Sequence, residues 1–159
     1  MTEVHPRAAE FRDHAAERHG LTLEVEEFPD GTRTATDAAR ALGCSVGRIA
    51  SSLVFAADGE PVVVVASGAN RVDEDRLAGL LDVDRVTTAD PDRVRAATGW
   101  AVGGVLPICH ERDLPVLFDR SLLGYETVYA AAGTPTAVFE VDPDRLRRLA
   151  DARAVDVTD

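Results

Sequence analysis

An apolar hairpin is the sequence feature that most constrains the fold of this chain. Two short apolar segments, 52–56 and 61–66, flank the pair Asp58-Gly59. An Asp-Gly pair between two such segments is a strong local signal for a two-residue β-turn. Segment 61–66 is also the longest apolar run, and it is much shorter than the roughly 20 residues that a membrane-spanning helix requires. We therefore expect a β-hairpin of apolar strands and no membrane span.

Helical and strand patterns alternate along the rest of the chain. Apolar stripes, capping residues and helix-stopping glycines predict helices or helical turns over 5–19, 37–42, 45–49, 73–81, 90–97 and 142–151, with Thr36 and Ser45 as caps. Alternating or apolar segments predict strands over 21–26, 85–88, 115–118, 127–130, 136–141 and 154–157. This order predicts an α/β (α+β) fold with a mixed, largely antiparallel sheet wrapped by helices. The 159 residues fit a single domain over 1–159 with a real core.

The charged residues are strongly biased towards acid. There are 28 Asp and Glu against 17 basic residues, which gives a net charge of −11, and every basic residue is arginine rather than lysine. A strongly acidic surface normally repels nucleic acid. The same composition suits concentrated salt, in which screening shortens the reach of surface charge to a few Å. A halophilic or high-GC source is our hypothesis, and equal stability at low and multimolar salt by circular dichroism would count against the halophilic version.

The cysteines and histidines form no recognisable metal or disulfide motif. Cys44 and Cys109 are far apart and form no CxxC, which favours two thiols over a disulfide. The histidines show no metal-ligand spacing with them: His5, His14, His19 and His110. The first residues lack the basic-then-apolar layout of a secretory signal. The sequence therefore predicts a cytoplasmic protein without a metal or other cofactor.

A glycine-rich segment, 99–107, is the first candidate for a functional site. It follows a predicted helix, contains three glycines and a proline, and carries few charged groups. Gly103-Gly104 could direct successive backbone N–H groups at a carbonyl or carboxylate. A plain connecting loop explains the same pattern and is favoured by the residues alone. His110 is the histidine placed near this segment.

Three further positions place polar or small residues at the ends of predicted strands. Ser51 and Ser52 begin an apolar strand, where paired hydroxyls could face a pocket or instead satisfy the backbone. Asp119 ends a strand, and its carboxylate could serve a site or cap the turn that follows. Small residues over 130–135 could leave room for a ligand or only fit a tight turn. No Ser/His/Asp order, P-loop, GxGxxG or EF-hand motif is found.

Taken in order, these segments resemble the YbaK/EbsC family of aminoacyl-tRNA editing domains, which includes the insertion domain of prolyl-tRNA synthetases. The resemblance covers nearly the whole chain, and although each piece is weak alone, the ordered set with its spacing is specific. The matching pieces are 36–43, 47–55, 62–68, 71–73, 89–91, 98–99, 103–107, 115–119, 131–135 and 137–139.

The resemblance implies a small pocket that hydrolyses the ester joining a wrong amino acid to the 3′ end of a tRNA. It implies that the backbone of the 103–107 loop holds the aminoacyl group and stabilises its developing oxyanion. The implied catalytic positions are Ser51, Ser52 and Gly103. The implied substrate contacts are Phe28, Gly104, Val105, Pro107, Asp119, Ala131 and Gly133. The implied partners are the aminoacylated 3′ end of a tRNA and an aminoacyl-tRNA synthetase, with the protein a monomer or a homodimer and without a metal or a membrane.

The chain departs from the family pattern at three positions. Members commonly carry Lys-Thr or Lys-Ser before the Leu-Val-Phe strand, and that lysine is the residue most often held essential. Here Ser51 takes its place, and Ser52 matches the hydroxyl that follows. Members specific for cysteinyl-tRNA carry a serine and an aspartate where this chain has Ala131 and Val138. The arginines that could replace the missing charge are Arg33, Arg48 and Arg71.

Two functions remain open at this point. The first is a free-standing deacylase that acts in trans on mischarged tRNA. The second is a catalytically silent module that binds the 3′ end of an aminoacyl-tRNA or a small amino-acid-like ligand. Arginines gathered at the rim of the pocket would favour tRNA, whereas an acidic rim would favour the small ligand.

Overall fold

The structure, a computed structural model, describes residues 25–27, 35–98, 114–131 and 137–158. Its strands are β1 (Val25–Glu27), β2 (Ile49–Ala57), β3 (Glu60–Ser67), β4 (Val86–Thr88), β5 (Val116–Asp119), β6 (Val128–Ala131), β7 (Ala137–Val141) and β8 (Arg153–Val155). Its helices are α1 (Ala35–Leu42), α2 (Glu74–Leu81), α3 (Pro91–Thr98) and α4 (Pro143–Leu149), with 3₁₀ turns at Val46–Arg48 and Arg120–Gly124. The predicted helix over 5–19 lies outside the described residues.

The described strands form one mixed sheet, as the sequence predicted. Its order is β1-β7-β6-β2-β3-β5-β8, and β4 also pairs with β2. Four pairings are antiparallel, β1–β7, β2–β3, β2–β4 and β6–β7, and three are parallel, β2–β6, β3–β5 and β5–β8. Two antiparallel pairings, β2–β3 and β6–β7, join strands that follow one another in the chain, and the other pairings join strands that other elements separate. The fold is therefore α+β, with β2 and β3 at the middle of the sheet.

The predicted hairpin is confirmed as β2 and β3. Asp58 and Gly59 both have positive φ, 48° and 87°, as the two central residues of a type I′ turn require. The Asp58 carboxylate also accepts hydrogen bonds from the backbone N–H groups of Asp84 at 3.1 Å and Arg85 at 2.9 Å. Asp58 thus forms the turn of the hairpin and also holds the segment that precedes β4 against it.

Helices cover both faces of the sheet. On one face, Val54, Phe118 and Phe139 pack with Val94 of α3 and Leu146 of α4, and we call it the α3/α4 face. On the other, which we call the α1/α2 face, two smaller clusters form. Phe55, Val64 and Leu117 pack against Leu77 of α2, and Ile49 packs against Ala38 and Ala39 of α1. The alternation of side chains along β2 and β3 supplies both faces from the same two strands.

Three of the predicted local features are corrected by the structure. Helix α1 already includes Ala35 and Thr36, so Thr36 lies inside the helix and does not cap it. Ser45 precedes the first 3₁₀ turn, but its side chain makes no capping hydrogen bond. The last strand is Arg153–Val155 rather than 154–157, because Val157 leaves the sheet and its carbonyl accepts from the Asp73 N–H at 2.8 Å.

Gly47 fixes the entry into β2 by close packing, which makes it sensitive to substitution. A Cβ at Gly47 would overlap the Tyr125 hydroxyl and lie 3.1 Å from the ring carbon that carries it. We expect Gly47→Ala to lower the free energy of unfolding by about 1–3 kcal/mol, the usual range for overpacking. Tyr125→Phe removes the overlapping oxygen, so the loss should be smaller in that background. Urea unfolding of the four proteins measures this coupling, and equal losses in both backgrounds would contradict it.

Candidate functional site

The sheet is interrupted along one edge of β2. Strand β6 pairs with Ile49 and Ala50 only, and β4 pairs with residues 55–57. Between them, the Val54 carbonyl accepts from the Ala89 N–H at 3.1 Å. No described strand therefore pairs with residues 51–53 on this edge, although β3 pairs with all three on the other. A central strand whose neighbours part in this way leaves room for a ligand against its backbone.

Ser51 and Ser52 lie in this interruption but point to opposite faces. Ser51 is paired with Ala66, which belongs to the core of the α1/α2 face, and Ser52 is paired with Val65, which belongs to the α3/α4 face. Directly paired residues of neighbouring strands point to the same face, and successive residues of a strand point to opposite faces. The two hydroxyls therefore do not act as a pair on one face of the sheet.

The three positions that depart from the family pattern lie side by side on the α1/α2 face. Ala131 of β6 pairs with Val138 of β7, and it follows Ala130, the last residue of β6 that pairs with β2, as Ser51 follows Ala50. Ala130 and Phe139, the neighbours of Ala131 and Val138 along their strands, point into the α3/α4 core. Ala131 and Val138 therefore share the face of Ser51. We call these three residues the Ser51 row, and none of them carries a charge.

Leu53 extends the Ser51 row into an open apolar surface. It is 40% exposed, whereas Val64, its partner across the β2–β3 hairpin, is fully buried. Leu53 lies on the α1/α2 face, two residues along β2 from Ser51. The described helices therefore leave Leu53 uncovered, although Phe55 and Val64 beside it on this face are buried. The apolar strand pattern predicted burial here, and no local signal in the sequence indicates the exposure.

Arg48 is engaged by groups outside the Ser51 row. Arg48 donates from Nε to the Thr127 carbonyl at 3.0 Å and from a terminal nitrogen to Thr127 Oγ1 at 2.6 Å and Glu140 at 3.4 Å. Its guanidinium also lies 5.1 Å from the centre of the Tyr129 ring. Arg48 is thus engaged with β7 and the start of β6. Arg71 lies exposed in the loop after β3, and Arg33 lies outside the described residues.

Three described arginines outside the Ser51 row are paired with carboxylates. Arg76 and Arg120 both lie 3.6 Å from Asp156, and Arg48 pairs with Glu140. In the part of the chain that the structure describes, these arginines therefore do not gather into an unpaired basic rim. Exposed pairs of this kind contribute little to stability, but they reduce the positive potential available to a phosphate.

Asp119 is bound entirely by the protein. Its Oδ2 accepts from the Ser67 N–H at 3.0 Å and Asn70 Nδ2 at 2.9 Å. Its Oδ1 accepts from the N–H of Ser121 at 3.0 Å and the hydroxyl at 2.7 Å. The residue is 2% exposed. Four donors from the protein favour the capping role over direct contact with a substrate.

The remaining predicted site residues lie outside the described residues: Phe28, Gly103, Gly104, Val105, Pro107, Gly133 and His110. Within the described ranges, no group of His, Cys, Asp and Glu side chains is arranged to hold a metal ion. Over the same ranges, no helix has both the length and the apolar character to cross a membrane. The described part of the site therefore consists of the interrupted strand, the Ser51 row and Leu53.

Comparisons with known proteins connect this chain to aminoacyl-tRNA editing. The model of the aminoacyl-tRNA editing domain matches residues 29–149. The uncharacterized protein YwhH of Bacillus subtilis (strain 168) is 32% identical over 124 residues, which cover 77% of this chain and 78% of YwhH. The proline–tRNA ligase of Nitratidesulfovibrio vulgaris (strain DP4) is 31% identical over 133 residues, 81% of this chain but 23% of the ligase. A crystal structure described as "a putative trans-editing enzyme for prolyl tRNA synthetase" superposes with a TM-score of 0.93 at 38% identity, over 99% of both chains.

Proposed function

The chain belongs to the aminoacyl-tRNA editing domain family, and from this premise we propose that it is a deacylase acting in trans on mischarged tRNA. The observation that carries the proposal is the similarity, over 99% of both chains, to the structure described as a trans-editing enzyme for prolyl-tRNA synthetase. The ligase relative contains the matching region as about a quarter of its length. We therefore propose tRNA for proline, charged with a wrong amino acid, as the substrate class.

The proposed reaction is ester hydrolysis beside the interrupted strand. Water attacks the ester carbonyl, the bond from that carbon to the ribose oxygen breaks, and the ribose hydroxyl leaves with a proton. Backbone N–H groups of the 103–107 loop would stabilise the oxyanion of the tetrahedral intermediate. Ala131 and Val138 make the Ser51 row neutral and apolar at two of its three positions. Such a surface suits a small uncharged amino-acid side chain.

The described arginines bear on how tRNA would bind. Arg48, Arg76 and Arg120 are each paired with a carboxylate, and the chain carries a net charge of −11. Affinity for the body of a tRNA depends on neutralising its phosphates. We therefore propose that recognition centres on the aminoacylated 3′ end, with a synthetase as a candidate partner that presents it.

A deacylation assay over a panel of mischarged tRNAs at high salt tests the proposal. We expect hydrolysis to be fastest for proline tRNA carrying a small uncharged amino acid and to be slow for correctly charged prolyl-tRNA. No release of amino acid from any member of the panel would contradict enzymatic activity. Gly103→Ala should lower kcat/KM at least about tenfold, because displacement of a reacting group or donor by 1 Å can cost much more than that.

A matched glycine variant controls for Gly103→Ala. Gly79 lies exposed in α2, and a Cβ there would meet no atom within 4 Å. Gly79→Ala should therefore leave kcat/KM unchanged and raise helix stability slightly. If both variants retain full activity, the 103–107 loop does not have the proposed role.

A second function, the catalytically silent binding module, is favoured by one observation. The Ser51 row holds no charge, and the nearby Arg48 is engaged by Thr127 and Glu140. A module of this kind would bind an aminoacyl group without activating its ester. It would bind a stable amide analogue of the aminoacylated 3′ end, whereas the panel of mischarged tRNAs would show no hydrolysis.

A further inference from the structure

The hydroxyl of Ser52 is buried without a hydrogen-bond partner. Over the described residues, it is the side-chain polar atom found in this state. The other buried hydroxyls have partners: Ser67 Oγ donates to the Gly47 carbonyl at 2.8 Å, and Thr98 Oγ1 donates to the Val94 carbonyl at 2.8 Å. An unpaired buried hydroxyl destabilises a fold, and an apolar group of the same shape would be more favourable. Ser52 therefore has no evident role in stability.

The main chain of Ser52 is directed at the interruption in the sheet. Ala50 pairs with β6 along this edge of β2, and the Val54 carbonyl accepts from Ala89 along the same edge. The hydrogen-bonding groups of successive strand residues alternate between the two edges. The N–H and C=O of Ser52, midway between Ala50 and Val54, therefore point to this edge, where no described strand pairs with them. Such groups require partners when they are buried.

Within the part of the chain that the structure describes, Ser52 therefore has both an unpaired buried hydroxyl and an unpaired main-chain N–H and C=O. This combination suits one kind of ligand. An aminoacyl group carries an ammonium donor and a carbonyl acceptor on the same unit, as a strand residue carries its N–H and C=O. Its ammonium and its carbonyl can therefore pair with the C=O and the N–H of one residue. A hydroxyl beside this pair supplies a further donor or acceptor.

We propose that Ser52 binds the aminoacyl group of the substrate. Its carbonyl accepts from the α-ammonium, its N–H donates to the ester carbonyl, and its hydroxyl completes the set. This inference rests on the proposed function, because it takes an aminoacyl ester as the ligand. It gives Ser52 direct contacts to the substrate, and its N–H shares with the 103–107 loop the ester oxygen that becomes the oxyanion.

The test is a substitution whose effects on stability and on activity have opposite signs. Ser52→Ala removes the unpaired hydroxyl, so Tm should rise by about 2–4 °C. The same variant loses a contact to the substrate, so kcat/KM should fall about tenfold. Ser52→Cys replaces the hydroxyl by a larger thiol that donates poorly, and it should show a similar loss of kcat/KM.

Ser67→Ala is the matched control, because it removes a buried serine hydroxyl from the neighbouring strand. That hydroxyl has partners, since it also accepts from the Ala69 N–H at 3.3 Å. Ser67→Ala should lower Tm and leave kcat/KM unchanged, the reverse of Ser52→Ala. A lowered Tm with unchanged kcat/KM in Ser52→Ala would make Ser52 a structural residue and overturn the inference.

A binding measurement separates this inference from the proposed function. The probe is a 3′-aminoacylamino-3′-deoxyadenosine, in which an amide replaces the ester, titrated calorimetrically. If the parent binds the probe or hydrolyses mischarged tRNA but Ser52→Ala does so equally well, only the assignment of Ser52 fails. If the parent does neither, the proposed function fails as well. A Kd raised about tenfold in Ser52→Ala supports the inference even when the parent hydrolyses nothing.

Discussion

Replacing Asp119 by alanine is expected to lower the free energy of unfolding by about 3 kcal/mol, as the loss of a buried hydrogen-bond network does. The carboxylate accepts four hydrogen bonds at the end of β5 and joins it to the loop that follows β3. Ser121 is exposed and can turn to water, but the N–H of Ser67 is buried and would lose its partner. Urea unfolding followed by circular dichroism gives the difference.

Two variants show whether this loss comes from the network or from helix capping alone. Asp142 caps α4 by accepting from the Arg145 N–H at 3.1 Å and is exposed. Asp142→Ala should therefore lower stability by about 1 kcal/mol, the usual value for an N-cap. Asp119→Asn keeps one acceptor, so its loss of stability should lie between those of Asp142→Ala and Asp119→Ala. If Asp119→Ala keeps its stability but loses deacylation, the direct substrate contact implied by the family resemblance is supported instead.

The features that the sequence predicted well depend on neighbouring residues. Asp58-Gly59 requires two positive φ angles, and few residue pairs other than Asp-Gly and Asn-Gly adopt them readily. Asp73 and Asp142 accept from backbone N–H groups three residues ahead, so their helices could be placed from the sequence. These contacts span a few residues, and the pattern of the chain contains them completely.

The features that were missed depend on residues far apart in the chain. Arg48 meets Thr127, which is 79 positions away, and the interruption in β2 exists only because β6 and β4 each cover one part of it. Neither the hydrophobic periodicity nor the composition of a sequence indicates where two strands that are far apart in the chain separate in the sheet. The opposite orientation of Ser51 and Ser52 was available from strand alternation alone. Their assignment as a hydroxyl pair overlooked that alternation.

In the sequence, the three residues of the Ser51 row are separate departures from the family pattern. In the fold, all three lie on the same face of the sheet. Ser51, Ala131 and Val138 come from three strands that are adjacent in the sheet. Each departure replaces a polar or charged group by a smaller or apolar one. The effects of Ala131 and Val138, which are directly paired between β6 and β7, should therefore be coupled.

Ser51→Lys is expected to raise kcat/KM for a mischarged tRNA by about 10–100-fold, since a charge-assisted hydrogen bond contributes about 1.5–3 kcal/mol. Ser51 is half-buried beside the open surface at Leu53, so a lysine there can extend its stem over apolar residues. Its ammonium would supply a charge that Arg48, which is engaged by Thr127 and Glu140, does not supply. The measurement is deacylation of the same tRNA panel by parent and variant.

Leu53→Lys is the matched control, because it places the same charge on the same face of the same strand, two residues away. If kcat/KM rises in Ser51→Lys alone, the effect depends on the position of the lysine. If it rises equally in both variants, the lysine acts only by attracting tRNA through its positive charge. The gain from general attraction should also shrink steeply as salt rises, and that of a half-buried contact should shrink less. Activity that appears only in Ser51→Lys, from a silent parent, would identify the natural protein as a binding module. An unchanged or lowered kcat/KM in Ser51→Lys would show that this site does not depend on a cation at that position.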